Sequence, residues 1–170
     1  MSSRKLLLGL LGLVVAAAWI PLPGAGAANL EAGDALPALK ASDVEGALPD
    51  TAGKVILLDF WASWCGPCKA SFPELDKLHK AYGARGFLVL GISVDESAED
   101  MREFLRNHPV SFPTVRDRAQ VLVGAVGVDA MPTSLLVDRR GRIAVIHTGY
   151  HGQKTVDELN VEIEKLLGEP

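Results

Sequence analysis

The sequence predicts a single α/β domain in which helices flank a central mixed β-sheet. Apolar runs of strand length alternate with stretches of helical periodicity, and two further apolar runs flank a short loop that contains glycine. Strands that alternate with helices pair in parallel, whereas strands joined by a short loop pair antiparallel, so the sheet is mixed. A chain of 170 residues, 48% of them hydrophobic, can form one such domain after a targeting segment.

Residues 1–28 have the composition of a secretory signal peptide. Arg4-Lys5 form a basic start, Leu6 to Ile20 form an apolar core, and Ala25-Gly26-Ala27 is a small-x-small cleavage site. An uncleaved membrane anchor is the alternative, but this apolar core is shorter than the roughly 18 residues that a spanning helix needs. We therefore expect export, and we leave membrane attachment open.

Residues 29–53 are predicted to be an N-terminal extension, and residues 54–170 are predicted to be the domain itself. Prolines and glycines break the extension into short pieces. Ala35-Leu36-Pro37 and Ala47-Leu48-Pro49 either pair as edge strands or lie over the domain.

The elements of the domain follow from hydrophobic periodicity. Val55 to Phe60 is apolar except for Asp59, as in a central strand that is covered on both faces. A helix is predicted from Cys65, with Pro73 inside it. The later elements are a strand over Phe87 to Val94, a helix opened by Ser97-Ala98-Glu99-Asp100, an extended piece over Phe112 to Val115, helical turns over Ala119 to Val126, a hairpin of Leu135 to Val137 with Ile143 to Ile146, and a last helix over Thr155 to Leu167.

The two cysteines of the chain both lie in Trp64-Cys65-Gly66-Pro67-Cys68-Lys69. Cys65 is at a strand-to-helix junction, where unpaired amides and the helix dipole favour its thiolate. Cys65 and Cys68 share one helix face, so a small local tightening closes a disulfide between them. So short a loop contributes only about 2 kcal/mol as a crosslink. We interpret the pair as redox-active, with Cys65 as the attacking sulfur.

Charge and motif spacing argue against two other classes of protein and leave a third as the alternative. The formal net charge is −4 and no cluster of lysine and arginine is present, so the sequence does not indicate nucleic-acid binding. The CxxC motif with His147 and His151 formally offers zinc ligands, but their separation in the chain argues against a structural zinc site. A Cu(I)-binding protein or metallochaperone that uses the two thiolates is the alternative function, although no methionine cluster supports it.

Several motifs together resemble the thioredoxin fold, and more closely the extracytoplasmic thioredoxin-like proteins of the TlpA/ResA type. The resemblance extends from Leu36 to Leu167. It depends on Asp59 to Lys69, Pro73, Gly91 to Asp95, Phe112-Pro113, Gly127 to Thr133 and Val137 to Ile143. It implies a thioredoxin-like fold, a periplasmic location and a dithiol–disulfide oxidoreductase activity that needs no further cofactor.

The resemblance also implies roles for the catalytic residues. Cys65 attacks a substrate disulfide and Cys68 resolves the mixed disulfide. Asp59 is a single carboxyl group in an apolar strand, so burial is expected to raise its pKa and let it accept the proton of Cys68. The resemblance implies that the protein is a monomer. Its expected partners are protein disulfides, which it reduces, and a thiol protein of the membrane or periplasm, which donates electrons to it.

Five further residues are expected to bind the substrate or to tune the cysteine pair. Trp64 offers an apolar docking surface, and Gly66-Pro67 lies between the cysteines. Pro132 is expected in the cis form, and Met131 before it offers backbone hydrogen bonds to the substrate chain.

Two positions differ from the members of this family that serve cytochrome c maturation. Those members commonly have an acidic residue where this chain has Ser71, and Asn where it has Asp59. The active centre thus resembles that of general thioredoxins on a TlpA-like scaffold. A peroxidase of the same fold is disfavoured because Ala62 occupies the position where that family has Thr or Ser.

Overall fold

The computed structural model describes residues 30–169, so the predicted signal peptide lies outside the described residues. Five strands form one sheet: β1 (Val55–Trp61), β2 (Phe87–Ser93), β3 (Thr114–Arg116), β4 (Thr133–Val137) and β5 (Ile143–Thr148). The helices are α1 (Gly66–Tyr82), α2 (Ala98–Asn107), α3 (Val121–Val126) and α4 (Gln153–Gly168). None of these helices is both long enough and apolar enough to cross a membrane.

The sheet has the order β3-β2-β1-β4-β5, with β1 at its centre. β1 pairs in parallel with β2, and β2 pairs in parallel with β3. On the other side β1 pairs antiparallel with β4, which forms the predicted hairpin with β5. The mixed sheet and its flanking helices confirm the fold class that the sequence predicts.

Alternate residues of β1 enter two separate hydrophobic clusters. Val55, Leu57 and Trp61 face a cluster that contains buried side chains of α1, α2 and α4. Ile56, Leu58 and Phe60 face the second cluster, which contains Leu122 and Val126 of α3. Because side chains alternate along a strand, Asp59 lies on the same face of β1 as Leu57 and Trp61. That face carries both cysteines.

An aromatic cluster lies beneath the active-site end of α1. The ring of Trp61 is 4.8 Å from that of Phe72 and 4.6 Å from that of Phe104, measured between centroids. Phe112 packs on Phe72 from the far side. Gly91 of β2 makes room for this packing, because a Cβ there would lie 3.0 Å from Nε1 of Trp61. The cluster supports the helix that carries the cysteines.

The N-terminal extension lies over the second cluster. Its apolar residues that pack there are Leu30, Leu36, Leu39, Val44 and Leu48. Ala35 of the first piece bridges to Arg142, and Glu45, two residues before the second piece, bridges to Arg116. The segment therefore covers the domain, and single bridges join it to both edges of the sheet.

Candidate active site

The CxxC motif lies at the N-terminus of α1, as the sequence predicts. Cys65 is the N-cap residue of the helix, and its Sγ accepts a hydrogen bond from the backbone N–H of Cys68 at 3.1 Å. The two sulfurs form a disulfide, with the Cα atoms 5.3 Å apart. No acidic residue occupies the first turn of α1, so no carboxylate there offsets the positive end of the helix dipole. The position favours a thiolate at Cys65.

The two sulfurs differ in their environment. Cys68 is completely buried, whereas Cys65 keeps a small exposed fraction. Ser71, one turn further along α1, is also buried and donates a hydrogen bond to the Cys68 carbonyl at 3.0 Å. A substrate can therefore approach Cys65, and Cys68 lies behind it in the protein.

Asp59 is buried in the middle of the sheet. Oδ1 accepts a hydrogen bond of 2.7 Å from Oγ of Ser134, and Oδ2 has no partner among the described residues. Burial raises the pKa of Asp59 to about 7, and the bond from Ser134 opposes this rise. A carboxyl group with this pKa can exchange a proton near neutral pH, and Asp59 lies on the side of the sheet that packs against Cys68.

A groove adjoins the cysteine pair. It has a volume of about 510 Å³ and is lined by Trp64, Cys65, Gly66, Pro67 and the segment Val128–Met131. The side chain of Trp64 is largely exposed. Four of the five predicted substrate-binding residues line this groove, and Pro132 follows directly after its last residue.

The loop before β4 presents free backbone groups beside the groove. The Met131–Pro132 peptide is cis. The Pro132 carbonyl accepts a hydrogen bond from Gly149, and Oγ1 of Thr133 donates one to the Ala130 carbonyl. Among the described residues, no hydrogen bond engages the backbone N–H or carbonyl of Met131. These two groups can pair with an extended chain in the groove.

Sequence reasoning gave no role to two polar side chains that support the site. Asp95, just beyond β2, is buried and accepts hydrogen bonds from the amide and hydroxyl of Ser63. Ser134 binds Asp59 from the neighbouring strand. Ser63 and Asp95 follow closely after two predicted neighbouring strands, and this position could have indicated their contact from the sequence. The contact between Ser134 and Asp59 could not be found in this way, because it depends on the register of β4.

The histidines of the formal zinc motif lie elsewhere. His147 contacts Glu162 of α4, with Nε2 2.7 Å from Oε2, and His151 is exposed. Within residues 30–169 no group of three or more histidine, cysteine or acidic side chains is arranged to hold a metal ion.

The chain is similar to known redox proteins over most of its length. The profile of the Redoxin family matches residues 31–163. The thiol-disulfide oxidoreductase ResA of Geobacillus thermodenitrificans is 34% identical over 120 residues, which cover 69% of each chain. ResA of Bacillus thuringiensis is 28% identical over 141 residues, or 81% of this chain and 80% of the relative.

A solved structure shows the same similarity. A DsbE-type thiol:disulfide interchange protein from Chlorobium tepidum superimposes with a TM-score of 0.76 at 35% identity, covering 82% of this chain and 99% of its own. None of these relatives favours the Cu(I)-binding alternative. With a cysteine pair capping α1 inside this fold, the chain belongs to the Redoxin family and is a thiol-disulfide oxidoreductase of the TlpA/ResA type.

Proposed function

We propose that this oxidoreductase works as an exported, periplasmic disulfide reductase for a range of protein substrates. The Cys65 thiolate attacks a substrate disulfide, which forms a mixed disulfide and releases one substrate thiolate. Cys68 then attacks the Cys65 sulfur, which releases the second substrate thiolate and leaves Cys65–Cys68 oxidised. The substrate gains the two electrons that the cysteine pair loses.

In the resolving step, Asp59 is proposed to accept the proton of Cys68. Cys68 is buried, so it needs a nearby base to become a thiolate. With its pKa raised to about 7 by burial, Asp59 is partly ionised at neutral pH and can accept a proton that an ordinary aspartate would release at once. This buried carboxyl group, on the side of the sheet that carries Cys68, is the observation on which the proposed mechanism depends.

The groove suits an extended polypeptide. Trp64 offers a large apolar face beside Cys65, and the free backbone groups of Met131 offer a donor and an acceptor. Main-chain hydrogen bonds tolerate many sequences. We infer that the protein accepts varied protein disulfides, with Gly66 and Pro67 lining the groove and Pro132 directly beyond its last lining residue.

Three parts of the proposal concern the setting. A signal peptide over residues 1–28 would deliver the domain, residues 54–170 with the extension before them, to the periplasm. The Gly66-Pro67 pair resembles that of reducing thioredoxins, so the protein would act as a reductase. It would receive its electrons from a thiol protein of the membrane or periplasm, and it would act as a monomer. Ser71 and Asp59 differ from members that serve cytochrome c maturation, so we do not expect a preference for apocytochrome.

The reduction potential of the Cys65–Cys68 pair tests the direction. Equilibration in thiol buffers, followed by tryptophan fluorescence, is expected to give a value near that of thioredoxin, about −270 mV. A value near that of DsbA, about −120 mV, would make the protein an oxidant. Cys68→Ser serves as the matched variant, because it should trap the mixed disulfide on Cys65, whereas Cys65→Ser should trap none.

A further inference from the structure

Three polar side chains lie side by side across the sheet. Asp59 of β1 is the register partner of Ser134 of β4, and Ser134 is the register partner of His147 of β5. Register partners project from the same face of a sheet, here the face that packs against α1 and α4. His147 continues the row to α4, where its Nε2 lies 2.7 Å from Oε2 of Glu162.

Exposure increases steadily along this row. The exposed fraction is 1% for Asp59 and 7% for Ser134, and for the side chains of His147 and Glu162 it is 13% and 26%. The neighbouring positions on this face are apolar, with Leu57 and Leu136 among them. A row of polar groups through an apolar layer costs solvation free energy, so it requires an explanation.

The proposed mechanism creates a need for such a row. Each substrate reduction leaves one proton on the fully buried Asp59, and each re-reduction of the cysteine pair by a donor returns one proton to Cys68. Asp59 must therefore exchange protons with solvent whenever these two half-reactions are separated in time. We propose that Ser134 and His147 form the route by which this proton passes from Asp59 to Glu162 and then to solvent. The inference depends on the proposed role of Asp59 as the base for Cys68.

The route consists of proton transfers only, and the single redox change is the formation of the Cys65–Cys68 disulfide. Cys68–SH gives its proton to the Asp59 carboxylate, and the thiolate forms the disulfide. The protonated carboxyl then passes a proton to Oγ of Ser134 while the Ser134 hydroxyl gives its own proton to a ring nitrogen of His147. His147 donates to Glu162, and Glu162 releases the proton to water, which returns Asp59, Ser134, His147 and Glu162 to their starting charge states.

The step from Ser134 to His147 is the longest. The Cβ atoms of such cross-strand partners lie about 4.5–5.5 Å apart, and no direct hydrogen bond joins these two side chains among the described residues. The path requires that the Ser134 side chain turn towards a ring nitrogen of His147 or that one water bridge the two groups. The charged groups that face His147 are Glu158 and Glu162, both on α4, and Lys154 lies 3.8 Å from Glu158.

Proton release can be measured separately from disulfide formation. Reduced protein is mixed in a stopped-flow instrument with an aromatic disulfide whose thiolates stay ionised at neutral pH. One proton then enters the solution per turnover. Tryptophan fluorescence follows formation of the Cys65–Cys68 bond, and a pH indicator in weak buffer follows the proton.

The expected result is a delay in proton release for Ser134→Ala and His147→Gln. In the first turnover both variants should release the proton at least about tenfold more slowly than the wild type, and added imidazole buffer should restore the rate. Ser134→Thr keeps a hydroxyl group and should retain fast release. His151→Gln, an exposed histidine outside the row, is the matched control and should behave as the wild type.

Two outcomes would overturn the route. Proton release at the wild-type rate in Ser134→Ala and His147→Gln would show that the proton leaves by another path. A slow reaction that added buffer does not restore would show a structural effect only. If the wild type itself fails to reduce protein disulfides, the proposed function fails, and that result is distinct from both.

Discussion

Asp95 holds Ser63 in place from the neighbouring strand. Its Oδ1 accepts hydrogen bonds from the backbone N–H of Ser63 at 3.0 Å and from the Ser63 hydroxyl at 2.8 Å. Ser93 Oγ donates a further bond of 2.8 Å to Oδ2. Since Ser63 lies two residues before Cys65, the carboxyl group of Asp95 just beyond β2 fixes the turn that leads into Cys65.

Replacing Asp95 should therefore loosen this turn. We expect Asp95→Ala to lower the free energy of unfolding by about 1–3 kcal/mol, because the half-buried donors of Ser63 and the buried hydroxyl of Ser93 lose their acceptor. Formation of the mixed disulfide should slow as well. Chemical denaturation and rapid-mixing kinetics measure the two effects. The exposed Asp50→Ala is the control, and equal effects of the two substitutions would contradict this role.

Asp59 should make stability depend on pH with a sign opposite to that of most aspartates. Its pKa is about 7 in the folded protein against an ordinary value of 3.8, so between these values the folded state binds more protons than the unfolded state. Stability therefore falls as pH rises through this range, by on the order of 4 kcal/mol in total.

Asp59→Asn should remove this dependence. The variant is expected to be more stable than the wild type by about 2–4 kcal/mol above pH 8, and similar to it near pH 4. It should also resolve mixed disulfides more slowly near neutral pH while keeping the fold. Denaturation across this pH range and single-turnover kinetics check both points. Asp157→Asn, an exposed residue of α4, is the control, and a parallel pH profile in wild type and Asp59→Asn would refute the prediction.

Trp64 should matter for protein substrates and not for small ones. We expect Trp64→Ala to lower kcat/KM for a disulfide-bonded protein by about tenfold, or roughly 1.4 kcal/mol, because an apolar docking surface is lost. Reduction of a small disulfide should change little. Val161→Ala on α4 is the matched control, since both side chains are 71% exposed. Equal losses for large and small substrates would argue against a docking role.

Gly91 should resist substitution for steric reasons. A Cβ at this position would lie 3.0 Å from both Nε1 of Trp61 and Cγ2 of Thr114. Gly91→Ala is therefore expected to lower the free energy of unfolding by about 1–3 kcal/mol. Gly124→Ala places its Cβ in open space within α3, so it should raise stability by about 0.5–1 kcal/mol. Thermal or chemical unfolding distinguishes the two, and a neutral Gly91→Ala would contradict the packing argument.

The sequence alone was sufficient for the local features of the fold. Hydrophobic runs predicted the central strand and the hairpin, and the turn after the strand predicted a helix beginning at Cys65, which the structure shows as the N-cap. These features depend on neighbouring residues, so periodicity and capping chemistry can specify them. The family resemblance supplied the cis peptide before Pro132.

Features that depend on register were beyond the sequence. The hydrogen bond between Ser134 and Asp59 exists because β4 pairs with β1 in one particular register, and a shift by one residue would turn Ser134 to the opposite face. Similarly, nothing near Ala35 or Glu45 in the chain indicates Arg142 or Arg116 as partners. Such contacts join residues that are far apart in sequence, and only the folded chain brings them together.

The N-terminal extension meets both edge strands of the sheet. Around Ala35 it exchanges backbone hydrogen bonds with Ile143 at the start of β5, and Glu45 exchanges two with Arg116 of β3. An open sheet edge is a template on which another chain can add a strand and aggregate. By engaging the two edges, this single segment reduces the length of open strand to which another polypeptide could pair.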